Sequence, residues 1–245
     1  MSTKPKISAF ICTRSPNISA TTRDLVTYLS SVGVEFNLLI GKDSIFSAYD
    51  TAIKELNPAD NDIAIFCHDD IEIINRPDHF LRCLYTLLNP KVGFIGVGGT
   101  RELPETGVWW TPNNLADRRG IVWHGNTLDS QPTYFGSYTN VVALDGVFLA
   151  ASGKTLNRLT LTKPDYFSGQ WDFYDIQYTT QAHLKGLHNF AVPIHIRHES
   201  IGELAGRDSW HKNRQAFVDH TELPLCTTRT LTLPGISLGP APTNS

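Results

Sequence analysis

The chain has 245 residues, of which 41% are hydrophobic and 18% are charged, with a formal net charge of -3 at pH 7. A chain of this size can bury the core of one mixed α/β domain. Because the net charge is negative and Lys and Arg are scattered along the sequence, a nucleic acid is not expected as the partner.

The cysteines and the hydropathy of the chain indicate the cellular compartment in which it is expected. Four cysteines, at positions 12, 67, 83 and 226, show no CxxC motif and no close pairing, which is typical of a reducing compartment. No stretch reaches about 18 apolar residues, and the N-terminus lacks the apolar segment of a secretory signal. The sequence therefore predicts a cytoplasmic protein without a transmembrane segment.

The N-terminal part of the chain alternates strand and helix patterns. This order implies parallel strands with right-handed crossovers, which bind ligands at their carboxyl ends. In chain order, the predicted elements are strand 6–13, helix 19–32, strand 35–40, helix 44–56, strand 62–67, helix 77–88 and strand 91–97.

The third predicted strand ends in two adjacent carboxylates beside a histidine. It is a continuous apolar run, as expected of a strand covered on both faces, and it leads into His68-Asp69-Asp70. Neighbouring like charges repel unless a cation lies nearby. A divalent metal that also holds a phosphorylated ligand is one explanation. The alternative is a solvated strand end whose acids cap the next element.

The middle of the chain, 98–140, is rich in Gly and Pro, which is typical of loops and short strands. Its aromatic residues either stack on a sugar or a base at the active edge of the sheet or cover the core. They are Trp109, Trp110, Trp123, Tyr134 and Phe135.

Further acidic residues stand at element ends in the second half of the chain. Asp145 interrupts an apolar run at 140–150, where a carboxylate is costly unless it is paired or bound. A helix is predicted at 173–185, with Asp172 before it and Asp175 on its first turn. Trp171, next to Asp172, either shapes a pocket or packs in the core.

A short strand at 190–196 runs into a last polar cluster, in which His195 and His198 precede Glu199. Imidazole and carboxylate together suit Mn²⁺ or a similar ion, whereas an oxygen-only site would suit Mg²⁺. The chain contains no P-loop, no GxGxxG after the first strand, no GxSxG and no HExxH. Kinase, dehydrogenase, α/β-hydrolase and zinc-hydrolase functions are therefore not supported.

Six short motifs follow one another along the chain: Cys12-Thr13-Arg14, Ser47-Ala48-Tyr49-Asp50-Thr51-Ala52, Phe66-Cys67-His68-Asp69-Asp70-Ile71, Leu144-Asp145-Gly146-Val147-Phe148, Tyr174-Asp175-Ile176-Gln177 and His198-Glu199-Ser200. In this order they resemble the motifs of glycosyltransferases of family-two type with the GT-A fold, and the match is closest to a branch with HDD in place of Asp-x-Asp. The similarity covers about 6–217.

The resemblance implies an α/β fold of GT-A (Rossmann-like) type, a three-layer sandwich with a mostly parallel central sheet. It also implies a nucleotide-sugar donor, a Mn²⁺ or Mg²⁺ ion and a glycan acceptor. Asp70 and His198 would be metal ligands, and Asp69 would contact the ribose or the metal. The other residues implied to bind the donor are Thr13, Arg14, Asp43 near the base, and Tyr49 beside it.

The resemblance places the general base at Asp175. The acid that usually precedes it is replaced by Tyr174, so Asp172 remains a rival base. A single base without a second nucleophilic acid implies inversion at the anomeric carbon. The alternatives are a sugar-phosphate nucleotidyltransferase, although the glycines that it needs after the first strand are missing, and a glycosyltransferase-like binding domain without turnover.

Domain organisation is predicted from composition. Residues 1–222 are expected to form a single GT-A domain, and 223–245 a Pro-rich tail or linker. The tail leaves open whether the chain is one module of a longer multidomain glycosyltransferase.

Overall fold

The computed structural model describes residues 4–125, 131–200, 208–227, 231 and 233. Its helices are α1 (Ala20–Ser31), α2 (Ile45–Leu56), α3 (Pro77–Tyr85), α4 (Gly153–Leu156), α5 (Tyr174–Leu184) and α6 (Asp208–His220), with 3-10 turns at Thr86–Leu88 and Leu115–Asp117. Its strands are β1 (Ile7–Thr13), β2 (Glu35–Ile40), β3 (Ile63–Cys67), β4 (Ile71–Ile73), β5 (Val92–Gly96), β6 (Gly98–Thr100), β7 (Glu102–Leu103), β8 (Arg118–His124), β9 (Gln131–Gly136), β10 (Asn140–Val141), β11 (Ala143–Leu144), β12 (Phe148–Ser152), β13 (His188–Ala191), β14 (Ile196–His198) and β15 (Leu225–Cys226).

A seven-stranded sheet forms the centre, in the order β10-β13-β5-β12-β3-β1-β2. Strand β1 is parallel to β2 and β3, and β13 is parallel to β5. Strand β12 is antiparallel to both β3 and β5, and β10 is antiparallel to β13. Five strands thus share one direction, which confirms the predicted mostly parallel sheet.

Helices cover both faces of this sheet, as predicted for a three-layer sandwich. Along β3, Ala64 and Phe66 pack in the core that contains α2 and α5, whereas Ile63, Ile65 and Cys67 pack in the core that contains α1 and α3. Because successive side chains of a strand point to opposite faces, both faces require apolar residues. This explains the continuous apolar run in the sequence.

Local signals set the limits of the helices. The side chain of Ser19 accepts a hydrogen bond from the backbone N–H of Thr22 at 3.0 Å and so caps α1. Helix α2 is capped by Ser44 and ends at Asn57, which adopts the left-handed conformation with φ 45°. These helices therefore begin and end within a residue or two of the predicted limits.

A second sheet lies beside the carboxyl edge of the first, in the order β11-β6-β8-β14-β4, with β9 paired to β8. It contains most of the segment that the sequence marks as loops and short strands. Strands β4 and β14 are antiparallel, with Ile71 opposite His198. This pairing places His198, the first residue of the last motif, opposite the first residue of β4.

One predicted element needs correction, and one helix was not predicted. The strand expected at 190–196 is two strands, β13 and β14, in different sheets, because Pro193 lies between them and cannot donate a backbone hydrogen bond. Helix α6 is not predicted by the sequence, since only Trp210, Asn213 and Phe217 of its thirteen residues are buried and its apolar periodicity is weak.

Part of the predicted tail packs against the domain. Strand β15 pairs with β7, Leu233 is buried, and the backbone N–H of Leu231 donates a 2.8 Å hydrogen bond to Asn140 Oδ1. The boundary at 222 stays a prediction, and 228–230, 232 and 234–245 lie outside the described residues.

Candidate active site

Three potential metal ligands converge where β3 ends and β14 ends. Asp70 Oδ1 lies 3.2 Å from His198 Nε2 and 3.8 Å from His68 Nδ1, and the two imidazole nitrogens are 3.4 Å apart. These three atoms all lie within 4.8 Å of one another. We call the three residues the His-Asp-His cluster.

The backbone holds the His-Asp-His cluster from two sides. The backbone N–H of Glu199 donates a 3.0 Å hydrogen bond to the carbonyl of Asp70, which extends the β4–β14 pairing past the strand end. The backbone N–H of His68 donates to the carbonyl of Val147 at 3.2 Å. The cluster is therefore fixed by contacts between segments distant in sequence.

The pKa values of His68 and Asp70 are both shifted downwards, the direction that favours a neutral imidazole at His68 and an ionised carboxylate at Asp70. Burial and the neighbouring His198 lower the pKa of His68. Burial alone would raise the pKa of Asp70, but the hydrogen bond and the charge of His198, with the charge of His68, lower it overall. Metal ligands must be neutral imidazole and ionised carboxylate.

The donor set fits a divalent ion. An ion about 2.1 Å from its ligands holds neighbouring ligand atoms roughly 3 Å apart when they meet at right angles, close to the spacing of the three atoms here. Two imidazole nitrogens and one carboxylate oxygen suit Mn²⁺ and similar ions. Ser200 Oγ lies 3.0 Å from His198 Nε2 and completes the polar surroundings of that nitrogen.

Asp175 lies on the first turn of α5 and faces the turn at 145–147. Its Oδ2 accepts a 2.8 Å hydrogen bond from the backbone N–H of Gly146, and its Oδ1 accepts one from Ile176. Burial raises the pKa of Asp175 to about 7, and the nearby Asp145 carboxylate adds to this shift against the two backbone hydrogen bonds. Asp175 can therefore gain and lose a proton near neutral pH.

Gly146 allows α5 to approach this turn. A Cβ at that position would lie 2.3 Å from Tyr174 Oη and 3.0 Å from the Cβ of Asp175. The hydroxyl of Tyr174 donates a 2.9 Å hydrogen bond to the Gly146 carbonyl. The motifs around 145 and 175 are thus one structural unit, which the sequence alone did not show.

Asp172, the rival base, is buried and held by α6. Its Oδ2 accepts a 2.6 Å hydrogen bond from Ser209 Oγ, and its carbonyl accepts one from Asn213. The next residue, Phe173, has a positive φ of 72°, a conformation that costs a non-glycine residue about 1 kcal/mol or more. This strained residue separates the two candidate bases.

Three of the residues predicted to bind a nucleotide, Thr13, Arg14 and Asp43, lie at or just after the carboxyl ends of β1 and β2. The backbone N–H of Gly41 donates a 2.9 Å hydrogen bond to the carbonyl of Thr13, so Arg14 and Asp43 are on adjacent segments, and both are exposed. The carbonyl of Asp69 accepts a 2.8 Å hydrogen bond from Thr22 of α1. Since β1 is the neighbour of β3, this region adjoins the His-Asp-His cluster.

Tyr49 requires a correction. The sequence predicts that it lies beside the nucleotide, but its side chain is 0% exposed and packs against Phe66 and Tyr174 in the core. Such burial leaves no surface for direct contact with a ligand. The motif around Tyr49 is therefore a packing feature of α2 in this structure.

A cleft of about 1110 Å³ extends from the His-Asp-His cluster past both candidate bases. His68, His198, Asp172 and Asp175 line it, together with aromatic residues from loops, β9 and α6. The predicted nucleotide-binding residues do not line it. The cluster thus lies between the carboxyl ends of β1 and β2 on one side and the cleft on the other.

Sequence reasoning did not identify three features of the site. The motif pattern marks His68 as a replacement for an acid and not as a ligand, because its proximity to His198 depends on the pairing of β4 with β14. Trp210 lies in the unpredicted helix α6. His124, which lines the cleft and stands opposite His198 in the β8–β14 pairing, carries no signal of its own in the sequence.

Comparison with models of known protein families shows the family to which the chain belongs. The model of a glycosyltransferase-like family matches residues 19–220. The chain belongs to this family. The resemblance drawn from the six motifs is therefore confirmed, while the HDD branch within the family stays a prediction. No curated protein sequence matches this glycosyltransferase-like chain significantly.

Solved structures whose backbones align with most of this chain were also found. A197 from STIV is 11% identical, with 76% of this chain and 80% of that chain covered and a TM-score of 0.45. GalNAc-T7, crystallised with UDP, GalNAc and Mn²⁺, is 10% identical with a TM-score of 0.49. That match covers 79% of this chain but 44% of the GalNAc-T7 chain.

The length and hydropathy of the helices were compared with what a membrane-spanning helix requires. Within the described part of the glycosyltransferase-like chain, none of the helices is both long and apolar enough to cross a membrane.

Proposed function

We propose that this protein is a metal-dependent inverting glycosyltransferase that transfers a sugar from a nucleoside-diphosphate sugar to a hydroxyl of a glycan. The observation that carries the proposal is the shared cleft. In a chain of a glycosyltransferase-like family, Asp175 lines the same cleft as His68 and His198, the two histidines of the His-Asp-His cluster.

The proposed donor site is at the carboxyl ends of β1 and β2. Thr13 and Arg14 would contact the nucleotide, with Asp43 near the base and Asp69 near the ribose. Asp70, His68 and His198 would hold Mn²⁺ or Mg²⁺. When bound there, the ion supplies the positive charge that stabilises a leaving diphosphate.

The proposed base is Asp175. As the acceptor oxygen forms its bond to the anomeric carbon, the bond from that carbon to the diphosphate oxygen breaks, and its electron pair leaves with the nucleoside diphosphate. The acceptor's hydroxyl proton passes to Asp175, whose pKa of about 7 suits a group that must gain and lose a proton. One displacement inverts the anomeric centre.

Asp175 is preferred over Asp172 because of their contacts. Asp172 accepts a short hydrogen bond from Ser209 and is 7% exposed, whereas the pKa of Asp175 is raised by burial and by Asp145. Asp175 also accepts hydrogen bonds, from two backbone N–H groups, but it is the more exposed of the two residues, and its raised pKa suits proton transfer.

The test is transfer from a panel of nucleotide sugars in the presence of Mn²⁺, with the product's anomeric configuration read by NMR. We expect turnover with at least one donor, an inverted product, and loss of turnover on chelation with EDTA. A retained configuration would contradict the single-displacement mechanism. A protein that binds donor but never transfers it would be a binding domain.

A further inference from the structure

The aromatic side chains of the cleft point to the class of acceptor. We infer that the acceptor is an uncharged oligosaccharide that stacks on Trp110 and Trp171, not an acidic glycan. This inference rests on the proposed function and specifies its substrate.

Trp171 carries the first part of the argument. Its side chain lines the cleft and is 40% exposed, although most other aromatic residues around it are buried. An indole with this exposure, next to Asp172, does not contribute to the core as a buried ring would. Exposed aromatic faces in clefts are binding surfaces because apolar C–H groups of a ligand can cover them.

Trp110 forms the second surface and is held rigidly. Its ring is half-buried, and it contacts the ring of Trp109 edge-on at 5.8 Å and the ring of Trp210 at 5.6 Å. Trp109 and Trp210 are themselves buried. A ring fixed in this way loses little conformational entropy when a ligand stacks on it.

The combination of indoles and carboxylates suits a sugar. A pyranose ring offers C–H faces that can cover an indole and hydroxyl groups that can donate to carboxylates. Asp172 and Asp175 lie in the same cleft as Trp110 and Trp171. The cleft of about 1110 Å³ exceeds the roughly 300–1,000 Å³ typical of small-ligand pockets, so it has room for more than one sugar unit.

The charges of the cleft decide between neutral and acidic acceptors. Among its described lining residues the permanent cation is Arg118, whose guanidinium lies over the ring of Phe135 at 5.7 Å. The proposed divalent ion adds positive charge, but the diphosphate that it would hold is itself anionic, so a uronate or sulfate group would still meet an excess of like charge and lose affinity. The acidic lining residues are Asp145, Asp172, Asp175 and Glu199.

The experiment measures oligosaccharide binding to the full chain by calorimetry and tryptophan fluorescence. The neutral probes are maltotriose, cellotriose and tri-N-acetylchitotriose, and the acidic probe is trigalacturonate, each tested with and without Mn²⁺ and nucleoside diphosphate. We expect at least one neutral probe to bind, and trigalacturonate to bind at least tenfold more weakly.

Variants locate the binding surface. Trp171→Ala should weaken binding of the neutral probe roughly two- to tenfold, and Trp171→Phe should recover part of the loss. Phe36→Ala is the matched control, because Phe36 is an aromatic residue of similar exposure, 39%, at the start of β2 outside the cleft. It should bind as the wild type does.

Three results would overturn the inference: no neutral probe binds under either condition, trigalacturonate binds as tightly as the best neutral probe, or Trp171→Ala leaves affinity unchanged. Metal-dependent binding of the nucleoside diphosphate is measured separately. If it persists while oligosaccharide binding fails, the acceptor class is wrong and the proposed function stands. If oligosaccharides bind but no nucleoside diphosphate does, the proposed function fails instead.

Discussion

At the scale of single residues, Asp175 has surroundings that set its ionisation. Its carboxylate is enclosed between α5 and the turn at 145–147, close to the carboxylate of Asp145. Two backbone N–H groups favour the charged form, but burial and the second carboxylate outweigh them and raise its pKa to about 7. Asp175 is therefore mainly protonated in weakly acidic solution, where it cannot accept a proton.

This pKa predicts the pH dependence of transfer. The value of kcat/KM should rise with pH through about 7 and level off above it, because only ionised Asp175 acts as a base. Asp175→Asn should reduce kcat roughly 10²- to 10⁴-fold, whereas Asp172→Asn should keep the rise near pH 7. A profile that is flat from pH 5 to 8, or that disappears only in Asp172→Asn, would assign the base differently.

The raised pKa of Asp175 also predicts how the free energy of unfolding depends on pH. A carboxyl whose pKa is higher in the folded state binds protons more tightly there, so its contribution to stability falls as pH rises from about 4 to about 7. Asp175→Asn should therefore raise the free energy of unfolding more at pH 8 than at pH 5, measured by urea denaturation. An equal effect at both pH values would contradict the raised pKa.

His68 is the residue on which metal choice should depend. It supplies a second imidazole where related motifs carry an acid, and imidazole favours transition metals over Mg²⁺. His68→Asp should lower the ratio of Mn²⁺ to Mg²⁺ affinity at least tenfold, or about 1.4 kcal/mol, in calorimetric titrations. His211→Asp, an exposed position on α6, is the control. An unchanged ratio would remove His68 from the ligand set.

At the scale of elements, the contact between α5 and the turn at 145–147 positions the base. Gly146→Ala would place a Cβ 2.3 Å from Tyr174 Oη. The collision should displace the first turn of α5, lower kcat, and reduce stability by about 1–3 kcal/mol. Both effects can be followed in one variant by kinetics and by thermal denaturation.

Gly186→Ala is the matched control for this variant. Gly186 follows α5 with φ 76°, and a Cβ added to it would meet no other atom within 4 Å. Alanine there therefore adds backbone strain of about 1 kcal/mol without a collision. It should lose stability but keep kcat. If Gly146→Ala keeps kcat as well, the turn does not position Asp175.

The elements also show where the sequence was informative. Strands β1 to β3 and helices α1 and α2 were predictable because apolar periodicity and the caps Ser19 and Ser44 act locally. The second sheet was not predictable, because its strands pair across long stretches of chain. The role of His68 depends on one such pairing, between β4 and β14, and no local pattern could report it.

At the scale of the whole molecule, the order of the strands brings the site together. Parallel β1, β2 and β3 end at one edge, so a site there was predictable. That Asp70 and His198 are neighbours was implied only by the motif resemblance, because His198 lies on β14 of the second sheet. The antiparallel strand β12 between β3 and β5 was not predictable, although it places Asp145 and Gly146 beside that edge. The aromatic cleft likewise combines segments that only the complete fold brings into contact.

The central claim is that this edge binds a nucleoside diphosphate together with a divalent ion. The most direct measurement is calorimetric titration of UDP, GDP, dTDP and CDP, each with and without Mn²⁺. We predict that at least one binds tenfold or more tightly with Mn²⁺, that Asp70→Asn and His198→Ala abolish this gain, and that Asp78→Asn, an exposed position on α3, preserves it. Failure of all four nucleotides to show Mn²⁺-dependent binding would contradict the claim.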